Sequence, residues 1–203
     1  MAPRTDRDAG QAFPIYITVV AGLLFLTFAY LAVGQAAVNR SGAQTAADAA
    51  ALAAAQDKRD KLAAEWVTDV LDPKQWQRIF DGEGTDIGDP CARAVQLADR
   101  NDADAGCASQ GLLAYKVTVV NKKPVGDSVV PGTENVYSTA TAIAVIEPLC
   151  GFDPPGEDAG DHTLPQLTCK DGDQDRKWDL DPDDLTDLPK PQDLFDVHLA
   201  NHE

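Results

Sequence analysis

The sequence predicts an α+β protein: one N-terminal transmembrane helix extended into an alanine-rich helix, a small helix-plus-β-hairpin head, and an acidic, mostly irregular tail. Three observations carry that class. No charged side chain occurs between Asp8 and Arg40. Eight of the ten residues from Ala46 to Ala55 are alanine. Two β-rich runs, Leu112–Asn121 and Val136–Glu147, appear only after two sequence-marked helix starts.

The apolar run is the first element. Phe13 to Val33 reads FPIYITVVAGLLFLTFAYLAV. At the α-helical rise these residues span roughly 30 Å, the hydrocarbon thickness of a bilayer. The run also exceeds the apolar core of a secretory signal peptide, although Ala32-Val33-Gly34 resembles a cleavage site. A retained anchor is the expectation, with residues 1–12 before it. Arg4 and Arg7 precede the run and only Arg40 follows closely. That balance favours a cytoplasmic N-terminus and an extracytoplasmic C-terminal region.

Residues 34–72 are expected to continue the helix out of the membrane. Alanine is the strongest intrinsic helix former. The rows Ala46, Ala50, Ala54 and Ala47, Ala51, Ala55 recur at i, i+4 and allow another helix to approach closely. These six residues are the candidate helix-packing surface, and Ala32 and Ala36 begin a similar row. From Lys58 the pattern turns amphipathic. Leu62, Trp66 and Val70 share one face with Ala63 and Val67, and Lys58, Lys61, Glu65 and Asp69 are expected to face water.

Residues 73–150 form the expected head. Asp72-Pro73 caps a short helix carrying Trp76, Ile79 and Phe80, and Asp89-Pro90 opens another running to Asn101. Leu112–Asn121 alternates Tyr115, Val117 and Val119 against Lys116 and Thr118, as a half-buried strand does. A turn-rich connection then leads to the second β-rich run. Two strands alone are marginal, so they need the helices as packing partners.

Four cysteines, Cys91, Cys107, Cys150 and Cys169, all follow the apolar run. An even number in a translocated domain points to disulfides, and three pairings are possible. Cys91–Cys107 and Cys150–Cys169 are favoured because each closes a short loop. On the chain-entropy model each contributes about 3 kcal/mol.

The net charge of −16 is unevenly spread. Residues 151–203 hold 15 acids against 4 bases, or −11, and residues 1–150 hold 18 against 13, or −5. Such a chain repels nucleic acid, so none is expected as a partner. The sequence contains no catalytic fingerprint such as HExxH, GxSxG or a phosphate-binding glycine loop, and an enzyme is not expected. One stretch in the tail resembles a calcium loop, with Asp171, Asp173, Asp175 and Asp179 at loop positions 1, 3, 5 and 9. Arg176 replaces the turn glycine and Pro182 the closing glutamate. The alternative function is therefore a membrane-tethered acidic module that binds Ca²⁺; otherwise no cofactor is expected.

The N-terminal quarter resembles the TadE/TadG-like family of Flp (Tad) pilus-assembly proteins. The likeness rests on Arg7-Asp8-Ala9-Gly10-Gln11, the apolar span, and the stretch from Gln44 to Ala55, QTAADAAALAAA. The resemblance implies a bacterial cell-envelope protein: a minor pilin-like or accessory subunit in pilus assembly or secretion, with other Tad components as partners through the N-terminal helix. It also marks Gly10-Gln11 as a candidate processing point, with Ile15 where type IV prepilins carry glutamate.

Overall fold

A computed structural model describes residues 12–124, 135–153, 164–172 and 174–201. The first element, α1 (Ala12–Thr68), is one unbroken helix of 57 residues, about 85 Å long. Two short helices follow, α2 (Pro73–Phe80) and α3 (Pro90–Arg100). Each begins as its sequence dictates. The Asp72 carboxylate accepts from the Lys74 N–H and the Asp89 carboxylate from the Cys91 N–H, and proline at the first helical position wastes no donor.

Strands β1 (Ala103–Ser109), β2 (Ala114–Asn121), β3 (Thr139–Pro148) and β7 (Phe195–Leu199) form an antiparallel sheet in the order β1-β2-β3-β7. A second sheet, β4-β5-β6, is built from Cys150–Phe152, Leu167–Asp171 and Gln174–Trp178. A single-turn helix, α4 (Pro191–Leu194), leads into β7. The head is thus larger than a hairpin. Its sheet gains β1 before the expected strands and β7 from the acidic C-terminal region. That region also supplies β5 and β6, so its described residues contribute core structure as well as irregular chain.

The sheet runs alongside the second half of α1. At one end Asn121 Nδ2 donates to the Asn39 carbonyl (3.1 Å) and side-chain oxygen (2.6 Å). At the other, the Lys58 ammonium donates to the Leu112 carbonyl. Nineteen helical residues separate those two contacts on α1, about 28 Å, and nine strand residues cover about 30 Å. The match explains why an eight-residue strand fits this length of helix.

The core lies between the sheet and a layer made of α1 and α3. Val117, Val119, Ala142, Ala144 and Ile146 face Ala43, Ala47, Ala50, Ala54 and their neighbours, all fully or nearly fully buried. Ala94 and Ala98 bring α3 against the same helix, and Val95 on its outer side is exposed. At the end far from the apolar half, aromatic rings gather. Trp66 meets Trp76 at 5.4 Å, Trp76 meets Phe152 edge-on at 5.1 Å, and Phe80 meets Phe195 at 5.6 Å. Such pairs add stability beyond the area they bury.

Candidate functional site

The features that bear on function lie along α1. Its first half touches almost nothing. Phe13, Tyr16, Leu23, Phe25, Leu31 and Val33 are each at least half exposed, and no part of the apolar stretch is buried within the protein. This half is long and apolar enough to cross a bilayer. Its polar groups are arranged accordingly. The hydroxyls of Thr18 and Thr27 donate back to the carbonyls of Pro14 (2.6 Å) and Leu23 (2.9 Å), so neither requires water. Tyr16 and Tyr30 stand towards the two ends of the run, the positions that interfacial aromatics favour.

The second half is packed. Ala46, Ala47, Ala50, Ala51, Ala54 and Ala55 are all completely buried, covered by the chain's own sheet and by α3. This corrects the expectation that these rows await a helix of another subunit. The same property, a small side chain that permits close approach, has been used inside the protein. Asp48, the one charge in the row, accepts from Gln44 Nε2 at 2.7 Å and stays at the margin.

Lys58 departs from its sequence reading as well. It was expected to face water but is buried, and burial pulls its ammonium below the ordinary lysine value. It holds the β1–β2 connection to α1 through the Leu112 carbonyl. Nothing in an amphipathic pattern distinguishes such a lysine from a solvated one, because the strand connection that covers it is remote in sequence. Glu65 acts similarly. Its carboxylate accepts from the Thr85 N–H (2.8 Å), the Thr85 hydroxyl (3.0 Å) and Arg78 (3.3 Å), tying the 81–89 loop to α1.

The cysteines form two disulfides, Cys91–Cys107 and Cys150–Cys169. The first joins α3 to the edge strand β1. The second links β4 to β5, whose two cysteines lie directly opposite in register. Each staples a short or edge element that hydrogen bonds alone hold weakly.

The suggested calcium loop takes a different form. Asp171 pairs with Gln174 and Lys170 with Asp175 in a tight β5–β6 hairpin, with Gly172 at φ +63°. Side chains alternate along a strand, so Asp171 and Asp175 project from opposite faces and cannot wrap one cation. Asp179 is engaged by Gln166, and Asp173 lies outside the described residues. Among the described residues no group of three or more His, Cys, Asp or Glu converges to hold a metal. Gly10 and Gln11 also fall outside the described residues.

At the base of the sheet, beside Asn39, sits a set of alternating charges. Lys122 bridges Asp99 and reaches Asp104 at 3.7 Å, and Lys123 pairs with Asp102 at 3.1 Å. The hydrogen bond from Lys122, helped by its charge, holds the Asp99 carboxyl below the usual aspartate value; the same bond raises Lys122.

These features define a class: an apolar helix of membrane-spanning length continued without a break into the core of a disulfide-bonded α+β head. Residues 10–57 match the Tad family model, described as Flp pilus-assembly TadE/G-like. The match covers the apolar half of α1 and the alanine rows, and stops before Lys58. No curated protein and no solved structure matches the chain.

Proposed function

We propose that this is a non-enzymatic, single-pass membrane protein that serves Flp/Tad pilus assembly or secretion as a minor pilin-like or accessory subunit. Its N-terminus lies in the cytoplasm and its head outside the membrane. The observation that carries the reading is the family match over residues 10–57, the segment in which α1 passes from exposed apolar surface to buried alanine. Two disulfides in the head suit an oxidising compartment.

The contact with other pilus components falls to the first half of α1, since the alanine rows are already occupied. Gly22 leaves open backbone there, with nothing within 4 Å of an added Cβ, and Ala32 and Ala36 lie further along the same side of the helix. Close helix approach within lipid depends on such residues. The test is photo-crosslinking in cells that assemble the pilus. A crosslinker at Leu23 or Ala36 should capture another assembly component, and one at the distal positions Val67 or Leu71 should not. Capture confined to the distal positions would move the partner surface to the head and defeat this assignment.

A further inference from the structure

We infer that the base of the head is a lipid-contacting surface, seated on the headgroups of the outer leaflet, with a phospholipid headgroup filling the crevice between rod and head. The inference rests on the proposed membrane anchor and adds what the head itself does there. A crevice of about 660 Å³ opens where α1 leaves the core. Tyr30, Leu31 and Val38 line it from the helix, and Asp102, Lys123 and Pro124 from the underside of the sheet.

Three observations identify the occupant. The first is height. Asn39, bonded to Asn121 at the base of β2, lies six residues beyond Val33, about 9 Å along the helix. The headgroup layer extends roughly 5–8 Å beyond the hydrocarbon on each side. The crevice reaches down past that contact to Tyr30 and Leu31, so the underside of the head overlaps the headgroup layer. The second is rigidity. The helix is continuous through this level, and the two hydrogen bonds from Asn121 fix the head to it, so the head cannot tilt away without breaking its own core.

The third is chemistry. The crevice is apolar on its lower wall and polar above, matching the order of acyl chain, glycerol and headgroup in a lipid. Charge agrees. Among the described residues around the base, Arg40, Arg100, Lys122 and Lys123 stand beside Asp99, Asp102 and Asp104, whereas residues 151–203 carry −11, from 15 acids and 4 bases. The base is therefore compatible with a phosphate-bearing surface that the acidic C-terminal region would avoid. A set of charges this close to neutral suits zwitterionic headgroups and requires no anionic lipid.

The measurement is fluorescence quenching of the full-length protein in phosphatidylethanolamine/phosphatidylglycerol vesicles. All four native cysteines are in disulfides, so one added cysteine can be labelled selectively. Labels at Val38→Cys and Pro124→Cys should be quenched several-fold more by headgroup-spin-labelled lipid than a label at Leu71→Cys. Phe25→Cys should be quenched by chain-labelled lipid. A seven-residue helical spacer containing Glu and Lys, inserted between Val33 and Gly34, lifts the head by about 10 Å. It should abolish quenching at Pro124 and leave Phe25 unaffected. If Phe25 is quenched while Pro124 is not, the docked base is wrong and the anchor stands. If Phe25 escapes quenching, the anchor fails and the lipid contact fails with it.

Discussion

Residues 13–42 and 43–68 of α1 share one hydrogen-bonded helix, yet their side chains differ in kind. The first stretch is rich in leucine, phenylalanine, valine and tyrosine, nearly all exposed; the second turns to alanine, nearly all buried. Exposure and size run opposite to the usual order, in which large apolar groups fill a core. The difference reflects what lies alongside. Lipid tails conform to any outline, so bulky side chains cost nothing on a membrane-facing surface. A sheet held by its own ladder cannot conform, and only small side chains let a helix lie flat against it. With the first half in lipid, as proposed above, side-chain size along α1 reports whether the neighbour is fluid or fixed.

The largest test of this contrast fills the fixed side. Replacing Ala47, Ala50 and Ala51 with leucine inserts bulk into a closed seam, and each overpacked site costs about 1–3 kcal/mol. Together they should consume most of the net stability of a small domain. Circular dichroism in detergent should show the sheet lost or its melting temperature lowered by more than 10 °C. Leucine 23 and 24 replaced by alanine should leave that melting temperature unchanged. Equal sensitivity of the two halves would erase the distinction between them.

A smaller effect, confined to the other half, should follow Leu24→Arg. A charge at the centre of a spanning helix costs about 2.5–3.5 kcal/mol of insertion free energy. Alkaline extraction should then release a larger fraction of the protein from membranes. The head, whose core begins near Ala43, should melt as before. Release without change, or a destabilised head, would mean that this stretch packs against protein.

The smallest effect depends on pH and is confined to the head that packs on the second half. Asp99 is held below its ordinary value of 3.8, so its contribution is present above that pH and lost as pH falls through the depressed value. Lys122 is raised above 10.5, so its contribution is full below that pH and fades only as pH rises through the raised value. Asp99→Asn should therefore lower the melting temperature by an amount that is constant from about pH 5 to 9 and shrinks below about pH 4. Both groups are exposed, so the shift is small. A difference that persists undiminished at pH 2 would assign the loss to something other than this pair. Residues 13–39 of α1 carry no acidic or basic side chain to contribute.

Local signals in the sequence were legible where chemistry is local. The Asp-Pro pairs at 72–73 and 89–90 start helices because a carboxylate caps and a proline fits the first turn. Tyr115, Val117 and Val119 alternate inward as a strand requires. The two disulfides join cysteines that are near neighbours in the chain. What escaped were elements defined by distant partners. Ala103–Ser109 reads ADAGCAS, without a single β-branched or aromatic residue, and is a strand because β2 supplies the ladder and Cys91 the staple. Phe195–Leu199 is a strand because β3, some fifty residues away, offers an edge. The acidic composition around it points to irregular chain, and pairing overrides that composition. The alanine rows were visible as a packing surface, but no periodicity says whether the partner is another molecule or the chain's own sheet.

The strand Phe195–Leu199 has a consequence for how this molecule comes into being. The helix it helps to enclose precedes it in the chain, and Phe195 closes the ring cluster against Phe80. Until that strand is made, the enclosure stays open at one edge, with the helix already in place. A nascent polypeptide of this design depends on a late-made strand to seal its interior, so the interval before that strand emerges is when the core lies most open to proteolysis.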